Sequence, residues 1–447
     1  MMETLYEIAL AASRPGFRLA TLFDARARMA VEGRDRSLLR FQEWAWMRRD
    51  AKRPLVWVHA PSVGEALMAQ ATIRELRARL PELQVAFTHF SPSAERMVEQ
   101  VGADVHGYLP WDTRYPVRRA LDALKPDVMA FVRTEVWPVV TREAKQRGVR
   151  LAMVNAVVSE ESGRMSRLGR AFLEEVYRRL DVVGAVSGDS AERFERLGVP
   201  PGAIHVTGDA RFDQVCGRIQ DRSLAELRAG SAPVERLPEE MQTVWNLLHD
   251  PSTFTLVAGS TWPADERVLV PIVAVLRRSR RIRVIIAPHD PTRAHLDELE
   301  RRFDRQPGVH HARLGAILSG GGGASEVVLI DRVGILADLY ALADAAYVGG
   351  GFGTSGLHSV VEPAALGVPV LFGPAHGNAR EAGALVEAGG GFIVEAPGDV
   401  EGKVREWMDE PGTAEAAGRR ALEYVRSETG SAGRNADLVL GLLDGTK

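Results

Sequence analysis

The stretch Asp331–Asn378 reads D-R-V-G-I-L-A-D-L-Y-A-L-A-D-A-A-Y-V-G-G-G-F and then G-L-H-S-V-V-E-P-A-A-L-G-V-P-V-L-F-G-P-A-H-G-N. Two short apolar runs in it, Ala345–Val348 and Val368–Phe372, have strand character. Glycine follows each at once: Gly349, Gly350 and Gly351 after the first, Gly373 after the second. Between them lies a helical segment with one acid, Glu362, in an apolar run. Glycines after a strand and before a helix let backbone N–H groups approach a phosphate. An acid one helix further on can hold ribose hydroxyls. The pattern predicts a nucleotide site at the carboxyl edge of a parallel sheet.

Strand and helix alternate on both sides of this stretch. Upstream, Leu55–His59, Val85–Thr88, Val128–Val132, Leu151–Val154, Val182–Val186 and His205–Val206 read as strands separated by helices. A second series runs through Thr255–Ala258, Arg283–Ala287, Val327–Ile330, Ala345–Val348, Val368–Phe372 and Gly391–Val394. The fold class is α/β, with one Rossmann-like domain over 1–220 and another over 221–447. The boundary is expected between Asp213 and Asp250. A ligand cleft between two such domains is a common arrangement. The run Ser319–Ser325 is glycine-rich but lacks the Gly-Lys-Ser/Thr ending of a P-loop.

Composition fits this reading. The 447 residues are 45% hydrophobic and 26% charged, with a net charge of −3 that gives no drive toward nucleic acid. The single cysteine, Cys216, excludes an internal disulfide and argues against a thiolate metal site. No segment approaches a membrane span. The start is nevertheless amphipathic: Leu5, Tyr6, Ala9, Leu10, Phe17, Leu22 and Phe23 alternate with Arg14, Arg18, Arg26 and Arg28. Pro15 is expected to split it into two short helices. Either these helices pack on the domain, or they form an interfacial patch for anionic lipid.

Motifs follow the strands in a specific order: His59-Ala-Pro-Ser-Val-Gly-Glu65, Tyr108-Leu-Pro-Trp-Asp112, Arg133-Thr-Glu-Val-Trp-Pro138 and Thr207-Gly-Asp-Ala-Arg-Phe-Asp213. Ala258-Gly-Ser-Thr-Trp-Pro263, Pro288-His-Asp-Pro-Thr-Arg293 and the Asp331–Asn378 segment come next. This series resembles the Kdo transferases, GT-B enzymes that move 3-deoxy-D-manno-octulosonic acid from CMP-Kdo to lipid A precursors. The resemblance implies two Rossmann-like domains with parallel sheets facing an interdomain cleft, the acceptor on the first and the donor on the second. It implies donor contacts at Gly259, Ser260, Thr261, Pro288, His289, Arg293, Gly334, Ile335, Leu336, Gly350, Gly351, His358, Ser359, Glu362 and Asn378. It implies Arg211 as a hinge residue near the reaction, and His59, Ser62, Gly64, Glu65, Thr134 and Glu135 on the acceptor side. It further implies peripheral contact with the cytoplasmic face of a bacterial inner membrane, and no cofactor beyond the donor substrate.

Departure of CMP from Kdo develops negative charge on the phosphate and requires a carboxylate to take the acceptor proton. Arg211, His289 and Arg293 are the side-chain candidates for the phosphate, with Gly350 and Gly351 as backbone donors. No Asp-x-Asp pair occurs, so catalysis without metal is expected. In the family a glutamate ahead of the first strand is the base. Here Met29–Glu43 offers Glu32 and Glu43, and either could instead be a solvated helix residue. Asn378 reads equally as a turn residue or a carboxylate reader. Ser359, Arg133 and Ile335 stand where the family usually has asparagine, methionine and glutamate. These departures leave open a different nucleotide sugar, or a binding protein without turnover.

Overall fold

Short β-branched runs form two sheets of seven parallel strands in this computed structural model, which describes residues 2–21, 23–278, 281–321 and 325–444. Leu22, Gly322, Gly323 and Ala324 lie outside the described residues, as do the side chains of Arg14, Phe17, Arg18 and Arg26. The first sheet comprises β1 (Leu55–His59), β2 (Gln84–His89), β3 (Val105–Tyr108), β4 (Val128–Val132), β5 (Arg150–Ala156), β6 (Val182–Ala185) and β7 (Ile204–Val206). Their order is β3-β2-β1-β4-β5-β6-β7. The second comprises β8 (Phe254–Thr261), β9 (Ile282–Pro288), β10 (His311–Arg313), β11 (Val327–Leu329), β12 (Ala345–Val348), β13 (Val370–Phe372) and β14 (Gly391–Ile393). Their order is β10-β11-β9-β8-β12-β13-β14. Each sheet carries apolar clusters on its faces, so its strands read as near-continuous apolar runs.

Each sheet has a topological break between its first strand and a later one, at β1/β4 in the first and at β8/β12 in the second. Connections leave the carboxyl ends in opposite directions there, which opens a crevice for a ligand. Every motif quoted above falls on such an edge or on the helix that follows it.

Two compact units divide the chain: residues 1–214 with 428–447, and residues 215–427. The linear division at residue 220 leaves the C-terminus with the second domain. Instead, helix Ser431–Asp444 returns to the first unit, with Ala436, Val439 and Leu443 packed among Val56, Val58 and Val154.

Pro15 does not split the N-terminal segment. Helix Met2–Ala20 runs through it, and a second helix, Ala25–Arg48, follows. The packed face of the first helix is held by charge: Glu3 pairs with Arg142 at 3.3 Å and Glu7 with Arg114 at 3.2 Å. Residues Pro92–Arg96, after β2, form a 3-10 turn.

Candidate active site

In the second unit three rings gather at the carboxyl edge beside the β8/β12 break. Trp262 follows β8, His289 follows β9, and His358 follows the loop after β12. Trp262 and His289 stack with centroids 4.7 Å apart, and His289 and His358 at 4.6 Å. The Trp262 indole N–H donates to His358 Nε2 at 3.1 Å. That bond assigns the His358 proton to Nδ1. Burial and the neighbouring His289 lower the His358 pKa, so the ring is neutral at physiological pH. His289 is exposed, and Arg293 stands exposed at the start of helix Arg293–Asp304.

Asp265 holds this arrangement from below. It is fully buried three residues after Trp262; its Oδ2 accepts from the Trp262 and Gly350 amides and its Oδ1 from the Tyr347 hydroxyl, all at 2.9 Å. Glu266 is buried too, accepting from His295 Nε2 at 2.8 Å and from the Thr261 hydroxyl at 3.2 Å. His295 Nδ1 lies 3.1 Å from the Asp290 carbonyl. Since the carboxylate and the carbonyl only accept, both His295 nitrogens donate, and the loop carrying His289 is tied to the end of β8. Neither acid was legible as a site residue; the signal is an acid at the third helical position after Trp-Pro.

The glycines do not all face a ligand. A Cβ on Gly350 would lie 2.0 Å from the Gly356 carbonyl, and one on Gly351 2.6 Å from the Gly373 amide. They permit loop backbones to cross, and the Gly350 amide expected to hold a phosphate is taken by Asp265. Gly259 is filled by the Tyr340 hydroxyl and Leu336. Ile335 is buried in the core, so Ile335 and Leu336 support the site rather than line it. Asn378 is no carboxylate reader here: it accepts from the Leu357 amide at 2.9 Å and donates to its carbonyl at 3.0 Å, clamping the turn before His358. Thr261 and Pro288 are buried strand ends, Ser359 is exposed, and Gly334 (φ +95°) makes an open left-handed turn. Ser260 holds a φ of +52° at the end of β8, an uncommon conformation for a residue with a side chain. Glu362 keeps 31% of its side chain open and, among the described residues, has only Arg218, at 4.0 Å, as an ion partner. Burial raises its pKa, Arg218 opposes this, and Asp338 adds to it.

The first unit presents a different edge. His59 is fully buried: Nδ1 lies 3.0 Å from the Thr88 carbonyl, and Nε2 accepts from the Trp137 indole at 3.2 Å. Burial pushes its pKa down to about 3. This removes His59 from the acceptor contacts. Ser62 and Glu65 are also engaged, the Ser62 amide donating to Glu65 at 2.9 Å across the first turn of helix Val63–Arg79. Gly64, in the same turn, has open space where a side chain would stand. The Thr134 hydroxyl donates to the Val157 carbonyl, and its own carbonyl accepts from Tyr177. Glu135 is half-buried at the end of β4, with a pKa raised by burial first, opposed by Arg164 and reinforced by Glu65. Asp112 accepts from the Val139 and Val140 amides, which fixes the helix that starts at Trp137-Pro138.

The expected bases lie elsewhere. Glu32 and Glu43 are exposed on helix Ala25–Arg48, roughly half a turn around from buried Arg34 at about 100° per residue. Glu32 pairs with Arg36 at 2.8 Å. Arg211 is bound to buried Asp209 at 2.8 Å. Among the described residues, no group of three His, Cys, Asp or Glu side chains is placed to hold a metal ion.

Two parallel seven-stranded Rossmann-like units are the architecture of GT-B enzymes. The fold matches a UDP-GlcNAc 2-epimerase from Neisseria meningitidis, solved with UDP-GlcNAc, at a TM-score of 0.59, 14% identity, and coverage of 88% of this chain and 100% of that one. Residues 38–214 match the family description of 3-deoxy-D-manno-octulosonic-acid transferase, kdotransferase. The chain is 25% identical to a 3-deoxy-D-manno-octulosonic acid transferase of Haemophilus influenzae, over 87% of each chain. It is 28% identical to that of Bordetella pertussis, over 86% of each. The chain is thus similar to Kdo transferases, which are glycosyltransferases, over most of its length.

Proposed function

We propose that this chain transfers Kdo from CMP-Kdo to a lipid A precursor, with inversion at the anomeric carbon. The observation that carries the donor assignment is the open ring column of Trp262, His289 and His358 beside Arg293, at the topological break of the second sheet. The bond between the anomeric carbon and the CMP phosphate breaks, and the acceptor hydroxyl oxygen takes that carbon. Its proton passes to a carboxylate, and CMP leaves with one more negative charge. Arg293 and the imidazoles meet that charge, and Glu362 accepts from the ribose. Glu135 is the carboxylate best supported as base, because its burial holds its pKa toward working pH. Glu32 and Glu43 are the alternatives. The reaction is expected to run without metal; a rate abolished by chelator and restored by magnesium would refute this.

A membrane-bound acceptor fits the first two helices. No helix among the described residues is long and apolar enough to cross a membrane, yet Leu5, Ile8, Leu19, Phe23, Trp46 and Met47 are all exposed. Such a surface supports peripheral docking on the inner membrane.

The test is incubation with CMP-Kdo and a tetra-acylated lipid A precursor, read by mass spectrometry. A gain of one or more Kdo units supports donor, acceptor and reaction together. CMP binding without product would redirect the search to other nucleotide sugars and acceptors. The core position of Ile335, where the family usually has an acid, favours including that screen.

A further inference from the structure

Arg34 is a cation with few partners in a closely built setting. The residue is only 5% exposed. Its guanidinium carbon lies 4.6 Å from the ring centre of Phe90, 4.8 Å from that of Trp111 and 5.5 Å from that of Tyr108. Among the described residues one hydrogen bond holds it, from Nη1 to the Ala30 carbonyl at 2.7 Å. No carboxylate among the described residues pairs with it. Nε and Nη2 have no hydrogen-bond partner among the described residues.

The cradle is built by close interlocking. A Cβ on Gly33 would lie 2.4 Å from the Tyr108 ring, and one on Gly107 2.5 Å from the Ser37 hydroxyl. The Ser37 hydroxyl donates to the Gly33 carbonyl at 2.6 Å and accepts from the Tyr108 amide at 2.7 Å. These contacts press helix Ala25–Arg48 against β3 and hold Arg34 at the carboxyl edge. Phe90 stacks on Trp137 with centroids 5.4 Å apart, and Trp137 bonds to His59, so the cradle is continuous with the β1/β4 break.

A buried guanidinium is ordinarily matched by a carboxylate, because its desolvation otherwise stands uncompensated. Three ring faces compensate part of it and hold the charge in place. Burial lowers the pKa to about 10, which leaves the group cationic at neutral pH. A planar fork with free N–H groups suits an oxyanion bound through two oxygens.

We propose that Arg34 reads a phosphate monoester on the acceptor. This rests on the acceptor-side reading of the first unit. It is tested by comparing a phosphorylated tetra-acyl disaccharide acceptor with its dephosphorylated counterpart, in the full chain and in Arg34→Gln and Arg34→Lys. The expected result is a preference of about tenfold or more in kcat/KM for the phosphorylated form. It should vanish in Arg34→Gln, be partly kept in Arg34→Lys, and leave the CMP-Kdo KM unchanged. Preference retained in Arg34→Gln, or equal losses on both acceptors and on the donor, would overturn it. A second measurement needs neither turnover nor a folded variant: dicarbonyl labelling of Arg34 in the wild-type chain, read by peptide mass spectrometry. The phosphorylated acceptor should protect Arg34 at concentrations well below those at which inorganic phosphate does, and the dephosphorylated one should not. Absence of protection, or protection by inorganic phosphate alone, rejects the proposal. If no Kdo is transferred but protection is seen, Arg34 stands and the function falls.

Discussion

Both units place a tryptophan–histidine pair across the break in their sheets, with opposite results. In the first, Trp137 after β4 donates to His59 at the end of β1; in the second, Trp262 after β8 donates to His358 after β12. Each tryptophan precedes a helix-opening proline, and each lies a few residues after a left-handed residue with a side chain, Arg133 (φ +77°) or Ser260 (φ +52°). His59 is sealed and uses both nitrogens, whereas His358 is half-open and stacked on exposed His289. The same bond thus locks one sheet edge shut and orients a usable ring on the other. Resemblance of motifs does not assign roles; access does.

The comparison can be broken most sharply at the carboxylates. Glu135→Gln should lower kcat by about 10² to 10⁴-fold with acceptor and donor affinities nearly kept. Glu32→Gln and Glu43→Gln should stay near wild type. If steady-state kinetics put the large loss on Glu43, the outer face of its helix is the working one and Glu135 is structural.

Asp265→Ala comes next. It strands three donors, two of them buried, at a cost of about 3–6 kcal/mol by chemical denaturation. CMP affinity should fall with it; calorimetry showing unchanged affinity would separate the glycine loop from the donor.

Opposite outcomes are expected for the two histidine pairs. His358→Ala should weaken CMP binding about tenfold with little change in melting temperature. Trp137→Phe should lower stability by about 1 kcal/mol and leave CMP affinity alone. Reversal of these signs in parallel titrations and melts would undo the contrast.

A further contrast is acid lability. His59 has a folded pKa near 3 against 6.5 in the unfolded chain. Its contribution to stability is complete above pH 6.5 and is lost as pH falls toward 3. Melts between pH 7.5 and 4 should show a shallower loss in His59→Gln than in wild type.

Strands were legible wherever an apolar run was long or β-branched: Leu55–His59, Val128–Val132 and Ala345–Val348 occur with the bounds read from sequence. Strand β10 was not, because His311-Ala-Arg313 is a three-residue edge strand with polar ends. The place of the glycine triplet was legible but its purpose was not. Spacing says that a side chain is unwelcome, not whether phosphate or Gly356 and Gly373 would meet it. Arg34 stayed hidden in a charged helix, since nothing local reveals that Gly33 admits the Tyr108 ring beside it.

The return of the last helix carries a consequence for biogenesis. Asn435 lies buried between Asn155 and Thr207, and the apolar face of Ser431–Asp444 covers strands made hundreds of residues earlier. While the ribosome is still translating the second unit, that surface of the first has no cover. The N-terminal half must therefore wait, incompletely packed, until that helix emerges. A fragment ending at residue 214 would carry that uncovered face permanently, whereas grafting residues 428–447 onto it would restore the missing layer.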